Sequence, residues 1–310
     1  MSDIRKRKGV LGELLQNKAA YLLALPAAVY TVIFGYLTMP YLLIAFQKFN
    51  YKTGLFNSPW IGFDNFRFFF ASPRAWEITF NTLKLNTLFI VFGTIAALLL
   101  AILFNELKSR LFSRIAQSTI LFPHFLSWVI VSYVLYSLLS TEYGMVNRVL
   151  QTIGMEPINW YSSPGYWTSI LVGTHIWKDI GISLVIYLAA IAGIDESYYE
   201  AGRIDGATRM QLIRFITLPL LLPTVIILSL LALGKIMYGG FDMIYAIVKD
   251  NGLLYPTTEV IDTYVFRSLR NIGNPAQAMA IGLYQAVVGF ILVYTSNKVV
   301  RKINPDHALF

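Results

Sequence analysis

The 310-residue chain contains no cysteine, which excludes a disulfide framework, an iron–sulfur site and a thiolate zinc site. It does not fix a compartment, because a chain without thiols is at home on either side of a membrane. Charge is also scarce. Asp, Glu, Lys and Arg make up 14% of the residues, against about a quarter in soluble domains. No G-x-x-x-x-G-K-[ST] phosphate loop is present. Gly234-Lys235 is followed by isoleucine, and Ser229 stands where the first glycine belongs, so the chain does not hydrolyse nucleotide by that route. There is no G-x-S-x-G elbow and no H-E-x-x-H pair. His124, His175 and His307 are scattered without ligand spacing and are expected to be packing or interfacial residues, with no metal. Sequence repeats, low-complexity tracts and an obvious soluble domain are missing too.

What remains is apolar: 56% of the chain is hydrophobic and 15% aromatic, a membrane composition. A bilayer core of about 30 Å needs about 20 apolar residues per helix. Six stretches meet that length, at 19–46, 80–104, 115–139, 166–194, 218–237 and 276–297. The first follows Arg5-Lys6-Arg7-Lys8, as a signal peptide would. It is too long for a signal core, Pro26 and Pro40 interrupt it, and no small-residue cleavage site follows, so a retained helix is expected.

The net charge is +8. No basic run beyond the first few residues is interleaved with aromatics, so nucleic acid is not an expected partner. In a membrane chain, basic residues mark cytoplasmic segments and meet anionic lipid. Here they cluster in short segments: Arg5 to Lys18, then Lys108, Arg110 and Arg114, then Arg203, Arg209 and Arg214, then Lys298, Arg301 and Lys302. The alternate loops, 47–79, 140–165 and 238–275, are longer and more dilute in charge. Both termini are therefore expected in the cytoplasm. Trp60, Trp76, Trp160 and Trp167 suit the aromatic belt on the other side. A short helix is expected over 258–269 of the last outer loop.

The charged interruption "YYEAGRIDGATRMQLIRFITLPLLLPT", 198–224, stands out in this setting. Tyr199 to Arg203 has helical character. Asp205-Gly206 breaks it, with Gly206 free to take a positive φ and Asp205 placed to cap the next helix. Met210, Ile213 and Ile216 then fall at helical spacing, with Arg209 and Arg214 off that stripe. Pro219 is tolerable in the first turn of the fifth span. Two short helices in an L on the cytoplasmic face are expected; the plainer reading is an amphipathic helix on the lipid surface.

Glu200-Ala201, then Gly206, then Ile216-x-Leu218-Pro219, resembles the coupling motif of ABC-importer permeases: E-A-A, three residues, G, nine residues, I-x-L-P. Gly202 departs from the usual third alanine. Ile204-Asp205-Gly206-Ala207 and Pro223 are similar to the carbohydrate branch. So are "WIGFDNF" (60–66), "NTL" (81–83 or 86–88), "GMVNRVL" (144–150) and "IWKDIG" (176–181). "GGFDMIYAI" (239–247) is similar to subunits paired with a sister permease. "EVIDTYVFR" (259–267) and the terminal "ALF" resemble the branch for polysaccharide-derived oligosaccharides such as aldouronates, alginate or pectin fragments. The resemblance implies an all-α membrane fold of six spans with a coupling helix pair between the fourth and fifth. It implies a tail over 1–18, a first span with outer loop over 19–75, a permease core of five spans over 76–298 and a tail over 299–310. It implies a multi-pass protein of the bacterial inner membrane. Its partners would be a sister permease in a heterodimer, two ATPase subunits that bind ATP and Mg, and an extracellular or periplasmic sugar-binding protein. This chain itself would hold no cofactor and catalyse nothing. Residues 200–212, with Glu200, Ala201, Gly202, Asp205, Gly206 and Ala207, would seat in a cleft on the ATPase.

A sugar path needs polar or aromatic walls, and charged residues inside spans are functional candidates. Lys178 and Asp179 lie mid-span, able to satisfy each other or to face a cavity. Adjacent on an ideal helix, they point about 100° apart and are not expected to share a neighbour. Tyr238, Asp242 and Tyr245, with Lys235, gather at the outer end of the fifth span, and Lys84 is near enough to its own outer end to snorkel. Trp128, Tyr133 and Tyr187 offer faces for sugar stacking or for packing. The alternative function is an ion-coupled secondary transporter, which would usually show inverted repeats; none is seen. Paired acids or histidines at one membrane depth would favour an enzyme, and none are evident in the sequence.

Overall fold

The computed structural model describes residues 17–303 and 305. Arg5 to Lys8, His307 and the terminal Ala308-Leu309-Phe310 lie outside the described residues. The described chain is helical, and its extended pairing amounts to an isolated antiparallel bridge between Gln47 and Trp60.

Five helices are long and apolar enough to cross a membrane, and six if one bent pair counts as a single span. The first span starts as α1 (Lys18–Thr31), widens into a π turn (Val32–Tyr36) and tightens into a 3₁₀ segment (Met39–Phe46). Pro26 sits inside α1, and Pro40 opens the tight segment. After α2 (Asp64–Phe70), the second span is α3 (Pro73–Asn105). Its start is ordinary helix chemistry: the Ser72 hydroxyl accepts from the Arg74 N–H, and Pro73 takes the first helical position, where no N–H is needed. The expected start at 80 missed this turn because Arg74 and Glu77 are polar. α6 (Met145–Thr152) follows the third span, and the fourth is α7 (Trp167–Ala192). The sixth is α13 (Pro275–Ile303). The short outer helix expected over 258–269 is α12 (Ile261–Arg267), extended by a π turn (Ser268–Ile272).

The third span departs from expectation. In place of one helix over 115–139 there are two, α4 (Arg110–Leu121) with a 3₁₀ turn (Phe122–Phe125), then α5 (Trp128–Leu139), bent by 100°. Pro123 lacks an N–H and its ring crowds the preceding turn. Leu126 and Ser127 are extended, with ψ of 138° and 151°, and the Ser127 hydroxyl caps α5 by accepting from Ile130 N–H. The apolar run hid a stop and a start.

Lipid is as apolar as leucine, so spans associate by close packing and interhelical hydrogen bonds. α3 packs along α7, with Ala97 and Ala101 fully buried against Leu184, Tyr187 and Ile191. Gly181 on α7 meets the backbone of α4: a Cβ there would lie 2.6 Å from the Ile120 oxygen and 2.7 Å from Leu121 Cα. By contrast, no residue of α1 is buried. The segments between spans at the end away from the basic clusters are tied by amides. Asn65 of "WIGFDNF" donates to the Ala45 and Gln47 carbonyls at 2.9 and 3.0 Å. Asn147 of "GMVNRVL" exchanges two hydrogen bonds with the Ile158 backbone and accepts from Trp160 Nε1. In "NTL" at 81–83, Asn81 donates to the Pro256 carbonyl and Thr82 Oγ1 accepts from Ile261 N–H.

Candidate functional site: an elbow at the basic end and two cavities

The charged interruption folds into an elbow. α8 (Glu196–Ile204) is capped by Asp195, whose carboxylate accepts from Ser197 N–H at 2.9 Å. That bond holds the Asp195 carboxyl below the usual aspartate range. Gly206 reverses the chain at φ +79°, as expected. Two details differ from expectation. Asp205 ends α8 with helical φ and ψ, and Thr208 caps the second arm. Thr208 and Gln211 form a reciprocal capping box, with Thr208 N–H donating to Gln211 Oε1 at 2.7 Å. The second arm is also not a separate helix. α9 (Arg209–Leu212) runs through a π turn (Ile213–Thr217) into α10 (Leu218–Leu233), so the arm is the near end of the fifth span. Pro219 cannot give a bond to the turn before it, and the widened turn directly precedes it.

Gly202 faces inward: a Cβ would approach Leu212 Cδ2 to 2.6 Å and Ile216 Cδ1 to 3.3 Å. The glycine thus closes the elbow on itself. Tyr199 Oη and Thr217 Oγ1 lie 3.0 Å apart across it, and Arg209 pairs with Glu106 at the end of α3, 3.3 Å away. Glu200, Ala201, Asp205 and Gly206 face out, and Ala207 is half-buried. Beside them stand two bare apolar side chains, Ile204 (86% exposed) and Met210 (71%).

At mid-bundle the broken span meets the fourth. A break frees backbone carbonyls that lipid cannot satisfy. The buried Lys178 (6% exposed) answers one of them, donating to the His124 carbonyl at 2.9 Å, with its ammonium 4.8 Å from the centre of the Trp128 ring. Asp179 Oδ1 lies 2.9 Å from His124 Nδ1 and 4.0 Å from the lysine, and its Oδ2 lies 3.7 Å from His175 Nε2. His175 stacks on Phe89 at 4.2 Å. Lys178 and Asp179 do share a neighbour, because the bend presents a carbonyl and an imidazole of the same residue in different directions. His124 and His175, expected to be unrelated, meet at one carboxylate. Among the described residues, no group of three His, Asp or Glu is arranged to hold a metal.

Two cavities flank Trp128. One, of about 500 Å³, lies between α3, α7 and α10, with Asn86, His175, Asp179, Tyr187, Lys235 and Tyr238 on its walls. The other, of about 690 Å³, lies between α5 and α11 (Phe241–Val248), with Ser127, Tyr133, Asp242, Tyr245 and Lys249. Trp128 borders both.

Residues 90–304 match the family described as "Binding-protein-dependent transport system inner membrane component". The chain belongs to that family. It is 34% identical over 301 residues to the polygalacturonan/rhamnogalacturonan transport system permease protein YteP of Bacillus subtilis (strain 168), covering 97% of this chain and 93% of YteP. Its fold is similar to that in the crystal structure of a bacterial ABC transporter involved in the import of the acidic polysaccharide alginate. The TM-score is 0.88 at 33% identity, over 96% of this chain and 100% of that one. A second structure is of a bacterial alginate ABC transporter in complex with the alginate pentasaccharide-bound periplasmic protein. It gives 0.87 at 32% identity, over 96% and 98%.

In this permease the expected path residues separate. Asp179, Tyr187 and Tyr238 line the smaller cavity, Asp242 and Tyr245 the larger, and Trp128 both. Lys178 lines neither, and the Tyr187 side chain is 1% exposed, so it presents little surface. Sequence reasoning passed over His124, His175, Thr208 and Lys249. Thr208 had a local signal, since T-x-x-Q is a capping box in sequence. The histidines had none, because their shared partner comes from the fold.

Proposed function

We propose that this permease forms, with a sister permease, the path of an ABC importer for polysaccharide-derived oligosaccharides. ATP and Mg bind to two partner ATPase subunits, and a binding protein delivers the sugar from outside. The basic end faces the cytoplasm, as do both termini, and residues 200–212 seat on the ATPase. The observation that carries the reading is the elbow. Glu200, Ala201, Ile204 and Met210 stand exposed on a frame fixed by the Gly202–Leu212 contact, the Tyr199–Thr217 bond and the Arg209–Glu106 pair. Such a frame passes displacement into α10 and α3. Alternating access then rocks the bundle between two packings, and the sugar passes the two cavities beside Trp128. Relatives that serve acidic polysaccharides support the substrate class.

The test uses the assembled complex. Glu200→Lys reverses an exposed charge, and Gly206→Val puts a branched side chain at φ +79°. Both variants should insert and pair normally, while uptake and substrate-stimulated ATP hydrolysis fall together by about tenfold or more. Hydrolysis that still responds to sugar in both variants removes the elbow from coupling. Orientation is read from single cysteines, since the chain has none of its own. Asn251→Cys should react with an impermeant reagent from outside and Thr208→Cys should not. The reverse pattern overturns the cytoplasmic placement.

A further inference from the structure

We infer that the cleft between α5 and α11 is a subsite for the carboxylate of an acidic sugar, with Lys249 as the receiving cation. The inference rests on the importer reading above and adds the group that the outer part of the path recognises.

Lys249 ends α11 in the left-handed region, at φ 53° and ψ 40°, and Asp250 follows at φ 55°. Residues with a Cβ rarely adopt that region, and less often twice in succession. The reversal carries the lysine across to α5. There its ammonium lies 4.9 Å from the centre of the Tyr133 ring and 4.6 Å from that of Tyr136. Two aromatic faces fix the position of a side chain that would otherwise roam. The neighbouring carboxylate is engaged elsewhere. Asp250 accepts from Tyr255 Oη at 2.7 Å and lies 3.6 Å from Arg267. Among the described residues no carboxylate comes within ion-pair distance of Lys249. The lysine is thus held in place and left unneutralised.

The rest of the cleft supplies what a pyranose ring requires. Phe241 and Tyr245 stack at 5.1 Å, and Phe266 backs both, giving a fixed aromatic wall. Trp128 stands in the same cleft, with the Lys178 ammonium 4.8 Å from its ring centre. Asp242 and Ser127 offer acceptors and a donor for ring hydroxyls. A volume of about 690 Å³ falls in the range of ligand clefts. One cation and one carboxylate in the same cleft suit a sugar unit with a carboxylate on one side and hydroxyls on the other. A sulfate- or phosphate-dense polymer would meet repulsion at Asp242. A neutral sugar would use the aromatic wall but gain little from a charged, caged lysine.

The complex, reconstituted with its ATPase and binding protein, is assayed with galacturonate and mannuronate trisaccharides and with their methyl esters. Lys249→Gln should lower uptake efficiency for the acid about tenfold, the scale of one charge-assisted hydrogen bond, and leave the ester within about twofold. Lys249→Arg should restore most of the loss for the acid. Acid and ester falling together, or neither falling, overturns the subsite. So does loss of the sister permease on purification of Lys249→Gln, which would make the cleft a subunit contact. If the wild-type complex takes up the esters and none of the acids, the subsite falls and the importer reading stands. If it takes up no sugar while Glu200→Lys behaves as wild type, the importer reading falls first.

Discussion

The elbow at the basic end and the clamp around Asp179 are both polar devices in an apolar protein, and their contacts differ in reach. At the elbow, the capping box spans three residues and the Tyr199–Thr217 bond spans 18; the Arg209–Glu106 pair alone reaches further. At the clamp, His124 meets Lys178 and Asp179 across 54 and 55 residues. At the elbow Glu200, Ala201, Ile204 and Met210 face out, while the Gly202–Leu212 and Tyr199–Thr217 contacts turn inward. The clamp's atoms are turned toward one another, and Lys178 is nearly sealed. A locally encoded, outward-facing device can be altered without unfolding its support. A clamp that satisfies a broken backbone cannot.

Glycine substitution gives the largest contrast. Gly181→Leu places a side chain where even a Cβ would collide with the backbone of Ile120 and Leu121. Overpacking of this kind costs about 3 kcal/mol, and the assembled complex should be lost on purification. Gly206→Val, with nothing within 4 Å of its Cβ, should purify at near wild-type yield and fail in uptake. Equal yields for the two variants would erase the distinction.

The clamp divides next. Lys178→Met leaves the His124 carbonyl unmet and Asp179 without its cation, at a cost of about 3 kcal/mol. Yield should fall, with uptake per assembled complex preserved. Asp179→Asn keeps a hydrogen-bonding group at the cavity wall, so yield should hold while uptake per complex drops severalfold. Uptake normalised to purified complex separates the two roles, and a swapped result would put Lys178 in the path.

The smallest effect belongs to the cap. Thr208→Ala should cost about 1 kcal/mol locally. Hydrogen exchange in 209–212 should quicken while the spans stay protected, whereas Asp205→Ala should leave those amides unchanged. Faster exchange from the Asp205 variant alone would return the cap to Asp205.

Apolar length made most of the fold legible, because each span except the third is one uninterrupted helix or nearly so. The third was misread since Pro123 and Ser127 sit in a run whose composition never changes, and composition carries no angle. At the elbow, Gly206 was legible because its role is a backbone property. Asp205 was misassigned because two capping residues lie three positions apart, and only Thr208 has Gln211 three residues on. The clamp was out of reach for a different reason. Lys178 and Asp179 looked like a pair because they are adjacent, whereas their shared partner is the carbonyl and ring of a residue on another helix. Lys249 gave no signal in the sequence, because its place over two tyrosines comes from the left-handed backbone at its own position.

The helix from Arg209 to Leu233 has 25 residues, interrupted by one π turn and by Pro223. At 1.5 Å per residue it is a strut about 37 Å long, reaching from the exposed elbow almost to Lys235 and Tyr238 on the cavity wall. Mechanically, the elbow is one end of a rod whose other end lies beside the smaller cavity. A tilt of ~10° would move that far end by ~6 Å on this geometry. The π turn, which begins at the fifth residue, is a joint in this rod. Its stiffness therefore sets how far a displacement at the elbow travels: a softer joint dissipates it close to the elbow, and a rigid one carries it to the cavity wall.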